Sequence, residues 1–446
     1  MPPSRALHKT QLHQDSQLRG LRRDGGTDQG ASARIPRSPA RGGPVVSRFL
    51  FVAPPLAGHV NPTAGLAREL AERGHQVAWA GSELALRPLL GPDAAVYPTG
   101  SRLLREQAAR GYPAIRSLWE EFIVPYARFT AKAVDKAVLA YQPDVVVSDE
   151  HAPAGAFAAY RHGLRWATLA TSSMELTRPL RGLPRVEEWM RGHLQALWNA
   201  AGLPPDEFTD PRFSPHLVLA LTSRALVGPV PLPGHFALVG PVLTERPAGE
   251  PFPWRRLDPQ RRHVLVTMGT LAADVAADFY ARAAEALRPL ATSVQGILVA
   301  APEAVPDELP DNVLAVPTVP MLELLGRGAV DAVLCHGGLN TVCEALAHRV
   351  PLVVAPIRHD QPVTAGQVAA AGAGLRVSFG SADAADLRRA IESVLDDTSY
   401  RDAAARISAR FAAEGGARTA ADLLVALTHH ARAETRTESV DSGSHG

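Results

Sequence analysis

Cysteine is nearly absent: the 446 residues hold two, Cys335 and Cys343, too few for a disulfide framework or a cysteine-built metal site. A helical segment between them, rising about 1.5 Å per residue, sets their Cα atoms beyond the ~7 Å that a disulfide tolerates. Both are expected as free, mostly buried thiols, and a reducing cytoplasm is the expected location. Long apolar runs are missing too. The longest are of strand length and broken by Pro, Gly or charge, well short of the ~20 residues that cross a bilayer, so no stable membrane insertion is expected. Neither sign of charge dominates, with 46 Lys and Arg against 45 Asp and Glu, and a net charge of +1 offers no general pull on nucleic acid. Nucleic acid is excluded as a partner. No GxGxxG joins the first strand-like run to the helix after it, where APPLAGHVNPTAG stands, and this removes a dinucleotide-dependent dehydrogenase. No cluster of His, Cys and carboxylate residues has metal-ligand spacing along the chain, so no metal and no cofactor are expected.

What is present reads as ordinary globular protein, 46% hydrophobic and 20% charged, and long enough for two large domains at about 150 residues or more each. Residues 1–46, rich in Arg, Gln, Ser and Gly, cannot form a core and lack the apolar stretch of a secretory signal; a disordered extension is expected there. Residues 47–240 alternate apolar runs (RFLFVAPP, HQVAWAG, PDVVVSD) with helical patterns such as PTAGLARELAERG, which predicts a parallel sheet covered by helices. Residues 241–262 are Pro-rich, charged and aperiodic, and read as a linker. The alternation restarts over 263–432 with HVLVTMG, VQGILVA, DAVLCHGG and PLVVAPI, predicting a second doubly wound, Rossmann-like α/β domain, and the polar residues 433–446 read as a disordered tail.

The richest stretch is 333–361, VLCHGGLNTVCEALAHRVPLVVAPIRHDQ. A buried strand ends at His336-Gly337-Gly338, and the helix that follows has first-turn amides with no intrahelical acceptor, which suits a diphosphate. The glycines let the backbone approach phosphate oxygens, and Asn340, Thr341 and His336 add side-chain donors. Glu344 lies one turn further in, where a carboxylate can accept ribose hydroxyls. Asp360 and Gln361 end the next strand, placed for sugar hydroxyls. Helix dipole and His336 together are expected to meet the diphosphate charge.

HGGxNTxxE followed by PxxxDQ resembles the donor signature of family-1, GT-B-fold glycosyltransferases, and FVAPPLAGHVNPTAGLARELAERGHQVAWA, VLVTMGT and LVGPVL look like further family landmarks. The resemblance covers roughly residues 48–430 and lies nearest to bacterial macrolide-type and carotenoid (zeaxanthin-type) enzymes. It implies two Rossmann-like domains facing across a cleft, the first for the acceptor and the second for a UDP- or dTDP-sugar bound by Thr270, Val319, His336, Gly338, Asn340, Thr341, Glu344, Asp360 and Gln361. It also implies that the final helix crosses back to the first domain. His59 in PPLAGHVNP becomes the general base of an inverting hexosyl transfer, and Asp149 the partner that orients its ring; His151 is a weaker candidate expected to line the acceptor cleft. No Asp-x-Asp of the metal-dependent glycosyltransferase fold is present.

Two departures matter. Thr318-Val319-Pro320-Met321 stands where relatives carry an aromatic-Val-Pro-Gln run for the nucleobase, and Thr364 stands where an asparagine is frequent. The acceptor is expected to be a lipophilic small molecule, such as a polyketide, macrolide or carotenoid, if Tyr112, Trp119, Phe122, Tyr126, Phe129, Met174 and Trp189 face the cleft; core packing is the competing explanation. A catalytically silent auxiliary partner of another transferase is the alternative function. The protein is expected as a monomer or homodimer.

Overall fold

The structure, a computed structural model, describes residues 46–101, 111–243, 251–269 and 275–441. The expected extension, but for Val46, and Thr270 lie outside the described residues. So do residues 102–110, residues 244–250 of the linker and residues 442–446 of the tail.

Among the described residues thirteen strands form two all-parallel sheets. The first has β1 (Arg48–Val52), β2 (Gln76–Gly81), β3 (Val96–Pro98), β4 (Val145–Asp149), β5 (Trp166–Ala170), β6 (Leu217–Ala220) and β7 (Phe236–Leu238), in the order β3-β2-β1-β4-β5-β6-β7. The second has β8 (Arg262–Thr267), β9 (Val294–Val299), β10 (Val313–Val316), β11 (Ala332–Cys335), β12 (Leu352–Val354) and β13 (Gly374–Arg376), in the order β10-β9-β8-β11-β12-β13. Helices cover both faces, so the strands are mostly apolar, and every residue of β4 and β5 is buried. These are the two doubly wound domains that the alternating pattern predicts.

In each sheet the chain order reverses beside the first strand, between β1 and β4 and again between β8 and β11. Connections leave such a pair in opposite directions and open a crevice at the carboxyl ends of the strands, where ligands of doubly wound sheets bind. His59 and Asp149 follow or end the first pair of strands, Gly269 and His336 the second.

The helix after β1 runs Ala57–Glu72, earlier than the PTAGLARELAERG pattern suggests, so His59 belongs to its first turn. Pro62 lies inside it. Proline has no N–H, and the carbonyl four residues back, that of Gly58, loses its intrahelical donor.

Leu118–Ile123 form a π-helical turn between the helices Tyr112–Ser117 and Val124–Tyr141. Pro125 explains it: the wider turn moves the Glu121 carbonyl away from the pyrrolidine ring, with which an α-turn would collide. In the described part of the linker, Trp254–Arg256 make a 3-10 turn, and Phe252 is buried in the core of the second half. Both cysteines are free and buried, as expected. Among the described residues no helix is long and apolar enough to cross a membrane.

The last helix spans Ala417–Asp441, so residues 433–441 are helical and not the disordered segment expected from their polarity. Its Ala420, Ala421, Leu424 and Leu427 are buried with Phe49, Leu66 and Leu70 of the first half, which is the return crossing that the resemblance implies. Gly416 N–H donates to the Val239 carbonyl at 2.7 Å where the chain crosses. Because Leu424 is fully buried there, Leu424→Ala should cost about 2–5 kcal/mol and Leu424→Met less than ~1.5 kcal/mol. Urea unfolding followed by circular dichroism measures both, and a Leu424→Ala midpoint equal to wild type would show that this contact holds nothing together.

Candidate active site

The first-half site is built around one carboxylate. Asp149 ends β4 and is 1% exposed, with its oxygens 2.9 and 3.0 Å from His59 Nδ1. The Thr171 hydroxyl donates to Asp149 Oδ2 at 3.0 Å and lies 2.7 Å from His59 Nδ1, and the His151 amide donates to Asp149 Oδ1 at 2.8 Å. Nδ1 is thereby fixed as the atom that faces Asp149, which leaves Nε2 on the far side of the ring with its lone pair available. Burial works against a charged His59 ring, but the Asp149 charge, its hydrogen bond and the Asp360 charge together raise the His59 pKa above 6.5. His151 stacks at a tilt with ring centroids 4.9 Å apart, and burial, joined by the His59 charge, pulls its own pKa down to about 3.

The second-half site is a cradle made by glycines. Gly338 precedes the helix Leu339–Ala347 in an extended conformation with no side-chain cap, so the amides of Leu339, Asn340 and Thr341 have no intrahelical acceptor. A Cβ on Gly269 or Gly338 would come within 2.6–2.7 Å of the His336 ring, and one on Gly337, where φ is +90°, within 2.7 Å of Val354. Glycine at 269, 337 and 338 is what lets the imidazole lie against the cradle. Burial lowers the His336 pKa to about 4, the Thr267 backbone pulling upward and Arg358 downward. The ring is therefore neutral at neutral pH. A neutral ring offers an N–H beside the cradle, and the helix N-terminus adds a partial positive charge next to it.

Other expected donor residues are distributed unevenly. Glu344, 5% exposed, faces a small cavity with Asn340, Asn61 and Pro241–Leu243, at the seam between the halves. Asn340 is committed elsewhere than expected: its Nδ2 donates at 2.8 Å to the Gly58 carbonyl, the one orphaned by Pro62. The Gln361 side-chain oxygen accepts from the amides of Ile357 and Arg358, both at 2.9 Å, which closes the turn and leaves only its NH2 group for a sugar. Asp360 reaches the His59 ring electrostatically, and burial raises its own pKa. Val319 is half-buried against the second core. A second polar bond joins the halves, Ser173 Oγ to Gln367 Oε1 at 2.8 Å.

Of the aromatic residues considered for an acceptor pocket, Trp119, Phe122 and Tyr126 are fully buried core and Trp189 packs against them. Met174 is buried as well, and Tyr112 and Phe129 are each 48% exposed. Core packing thus accounts for most of the set. Thr171 was invisible to sequence reasoning, since a lone threonine after an apolar strand carries no signal. Its position 22 residues beyond Asp149 acquires meaning only once β4 and β5 pair.

These environments separate three histidines by charge. Side-chain NMR titration, assigned with single His→Gln variants, should show His59 gaining its proton above pH 6.5, with His151 and His336 still neutral at pH 5. A His336 midpoint near the ordinary 6.5 would contradict a buried His336 ring.

Comparison with known proteins bears on the family and the fold. Residues 257–412 match the family model described as UDP-glucoronosyl and UDP-glucosyl transferase. The chain is 30% identical over 433 residues to 4'-demethylrebeccamycin synthase of Lentzea aerocolonigenes, covering 85% of this chain and 99% of that one. It is 28% identical to demethyllactenocin mycarosyltransferase of Streptomyces fradiae over 88% of this chain and 89% of the relative. Among solved structures, the glycosyltransferase of kitacinnamycin superposes with a TM-score of 0.71 at 24% identity, covering 86% of this chain and 100% of the other. Two parallel-sheet domains, and a relative this similar along nearly its whole length, place the chain in the UDP-glucoronosyl and UDP-glucosyl transferase family, as a sugar-transferring enzyme of GT-B fold.

Proposed function

We propose that this enzyme moves a hexose from a UDP- or dTDP-sugar to a hydroxyl of a lipophilic natural product, with inversion, using His59 as general base. The observation that carries the reading is the His59–Asp149 contact at 2.9 Å, at the crevice of the first sheet and within electrostatic reach of Asp360 from the second half.

Each residue then has a task. Asp149 and Thr171 hold the ring with Nδ1–H toward the carboxylate, so Nε2 takes the acceptor hydroxyl proton as that oxygen attacks the anomeric carbon. The bond from the anomeric carbon to the diphosphate oxygen breaks on the opposite face. The departing charge is met by the amides of residues 339–341 and the His336 N–H. The proton gained by His59 is stabilised by Asp149 and Asp360, both of which favour the charged ring. No step needs a metal ion. Glu344 accepts ribose hydroxyls from its place in the seam, and Asp360 with the Gln361 NH2 group contacts the hexose. The relatives' names, a rebeccamycin-type synthase and a mycarosyltransferase, support an acceptor from secondary metabolism, and two buried thiols fit a cytoplasmic setting.

His59→Ala should lower turnover by roughly 10²- to 10⁴-fold while nucleoside diphosphate affinity stays nearly unchanged. Near-normal turnover would remove His59 from the mechanism. The pH profile carries a second signature. A base works deprotonated, so a raised pKa means that kcat/KM climbs with pH through a limb above 6.5. In Asp149→Asn the supporting charge is gone and burial dominates, so the limb should fall below its wild-type position while the maximal rate drops.

Hydrogen bonds to a charged group contribute about 1.5–3 kcal/mol each, so Glu344→Ala should weaken UDP or dTDP binding by about tenfold or more. Inorganic pyrophosphate, which has no ribose, should be affected less. Calorimetric titration of both ligands decides, and equal UDP dissociation constants for variant and wild type would sink the ribose assignment.

A further inference from the structure

Sequence spacing shows no metal site, yet folding assembles a set of ligand atoms at the base. His59, Asp149 and His151 each present one, all within 4.8 Å of one another. Asp149 already sits 2.9 Å from His59 Nδ1, and the His151 ring packs beside that of His59. His151 is 8% exposed, and its Nδ1 is buried with no hydrogen-bond partner. Leaving a polar atom so placed is costly, and His151 has no part in the transfer step described above.

Two imidazoles and a carboxylate are the ligand complement of three-residue zinc sites, which keep a fourth position open. Zinc bonds of about 2.0–2.2 Å set neighbouring ligand atoms roughly 3.3–3.5 Å apart. The His59–Asp149 pair is close to that spacing, and the His151 ring has to swing in by on the order of 1 Å.

We propose that a divalent transition metal, with Zn²⁺ the representative ion, binds at His59 Nδ1, an Asp149 oxygen and a ring nitrogen of His151, and that it silences the base. Coordination through Nδ1 uses the lone pair on that atom. The single proton of the neutral ring then resides on Nε2, the atom that must accept the hydroxyl proton, and no lone pair is left there. The ion acts on the first half alone, so the cradle keeps its affinity for nucleoside diphosphate. Silencing rests on the base role proposed above; the metal site does not.

The two parts are tested separately. Zn²⁺ alone is titrated calorimetrically into the metal-free full chain, and Co²⁺ is followed by its visible d–d absorption. Wild type should bind one ion per chain with the intense bands of four-coordinate cobalt. His151→Gln should lose at least about tenfold in affinity, because removing a direct ligand costs no less than removing its outer-shell support. His162→Gln, at the surface pair that His162 forms with Asp135 at 3.0 Å, should behave as wild type. If His151→Gln melts below the assay temperature, His59→Gln provides the same comparison. Equal affinity in wild type and a folded ligand variant overturns the site, as does the weak spectrum of six-coordinate cobalt. Turnover that persists with the ion saturating overturns the silencing; loss of turnover restored by a chelator supports it.

Discussion

Pro62 has no N–H to give, and the Gly58 carbonyl one turn before it therefore accepts from Asn340 of the other half at 2.8 Å. This bond joins the residue before His59 to the first turn of the helix Leu339–Ala347. In the proposed transfer the base and the leaving-group site lie on two separate sheets, and they can cooperate only if their spacing is set to within a fraction of an ångström. A side-chain amide spanning the gap between two rigid helices is a direct way to set it. The Ser173–Gln367 bond at 2.8 Å is a second such link.

Charge in the site is concentrated on one histidine. His59 is favoured in its protonated form by carboxylates from both halves, Asp149 and Asp360, whereas His151 and His336 are kept neutral by burial. Glu150 follows the same logic from the acidic side. Burial, with Asp149 and Glu175 beside it, pushes its carboxyl well above the usual range, against the opposing Ser172 hydrogen bond. Asp149 is the carboxylate in contact with His59, and Arg212 pairs with Glu175. The low dielectric that makes these carboxylates costly also makes the Asp149–His59 pairing strong.

The sequence was most legible where chemistry and chain order coincide. The two sheets and the glycine turn into the helix Leu339–Ala347 are read from contiguous stretches, because a strand, a glycine turn and a helix N-terminus are local structures with local signals. The site was least legible where pairing across strands creates it. Thr171 joins Asp149 through the β4–β5 register, and the gathering of His59, Asp149 and His151 depends on β1 lying beside β4. The aromatic residues were ambiguous for a different reason: Trp119 and Tyr126 have the same spacing whether they fill a core or line a pocket, and burial alone decides. The polar residues 433–441 gave the wrong local expectation because the helix that holds them is started and anchored further back, by Ala420, Ala421 and Leu427.

That returning helix changes what counts as a domain in this chain. The first sheet's outer core is closed by residues from the far end of the sequence, with Gly416 seated on Val239 at the crossing. During synthesis the first half emerges with Phe49, Leu66 and Leu70 still lacking that cover, and can complete its burial only when the last turns leave the ribosome. For recombination between relatives, the same fact moves the natural boundary. A chimaera cut once, in the linker, pairs one parent's first sheet with the other parent's closing helix. A chimaera cut twice, in the linker and again near Gly415 and Gly416, keeps each core with its own lid.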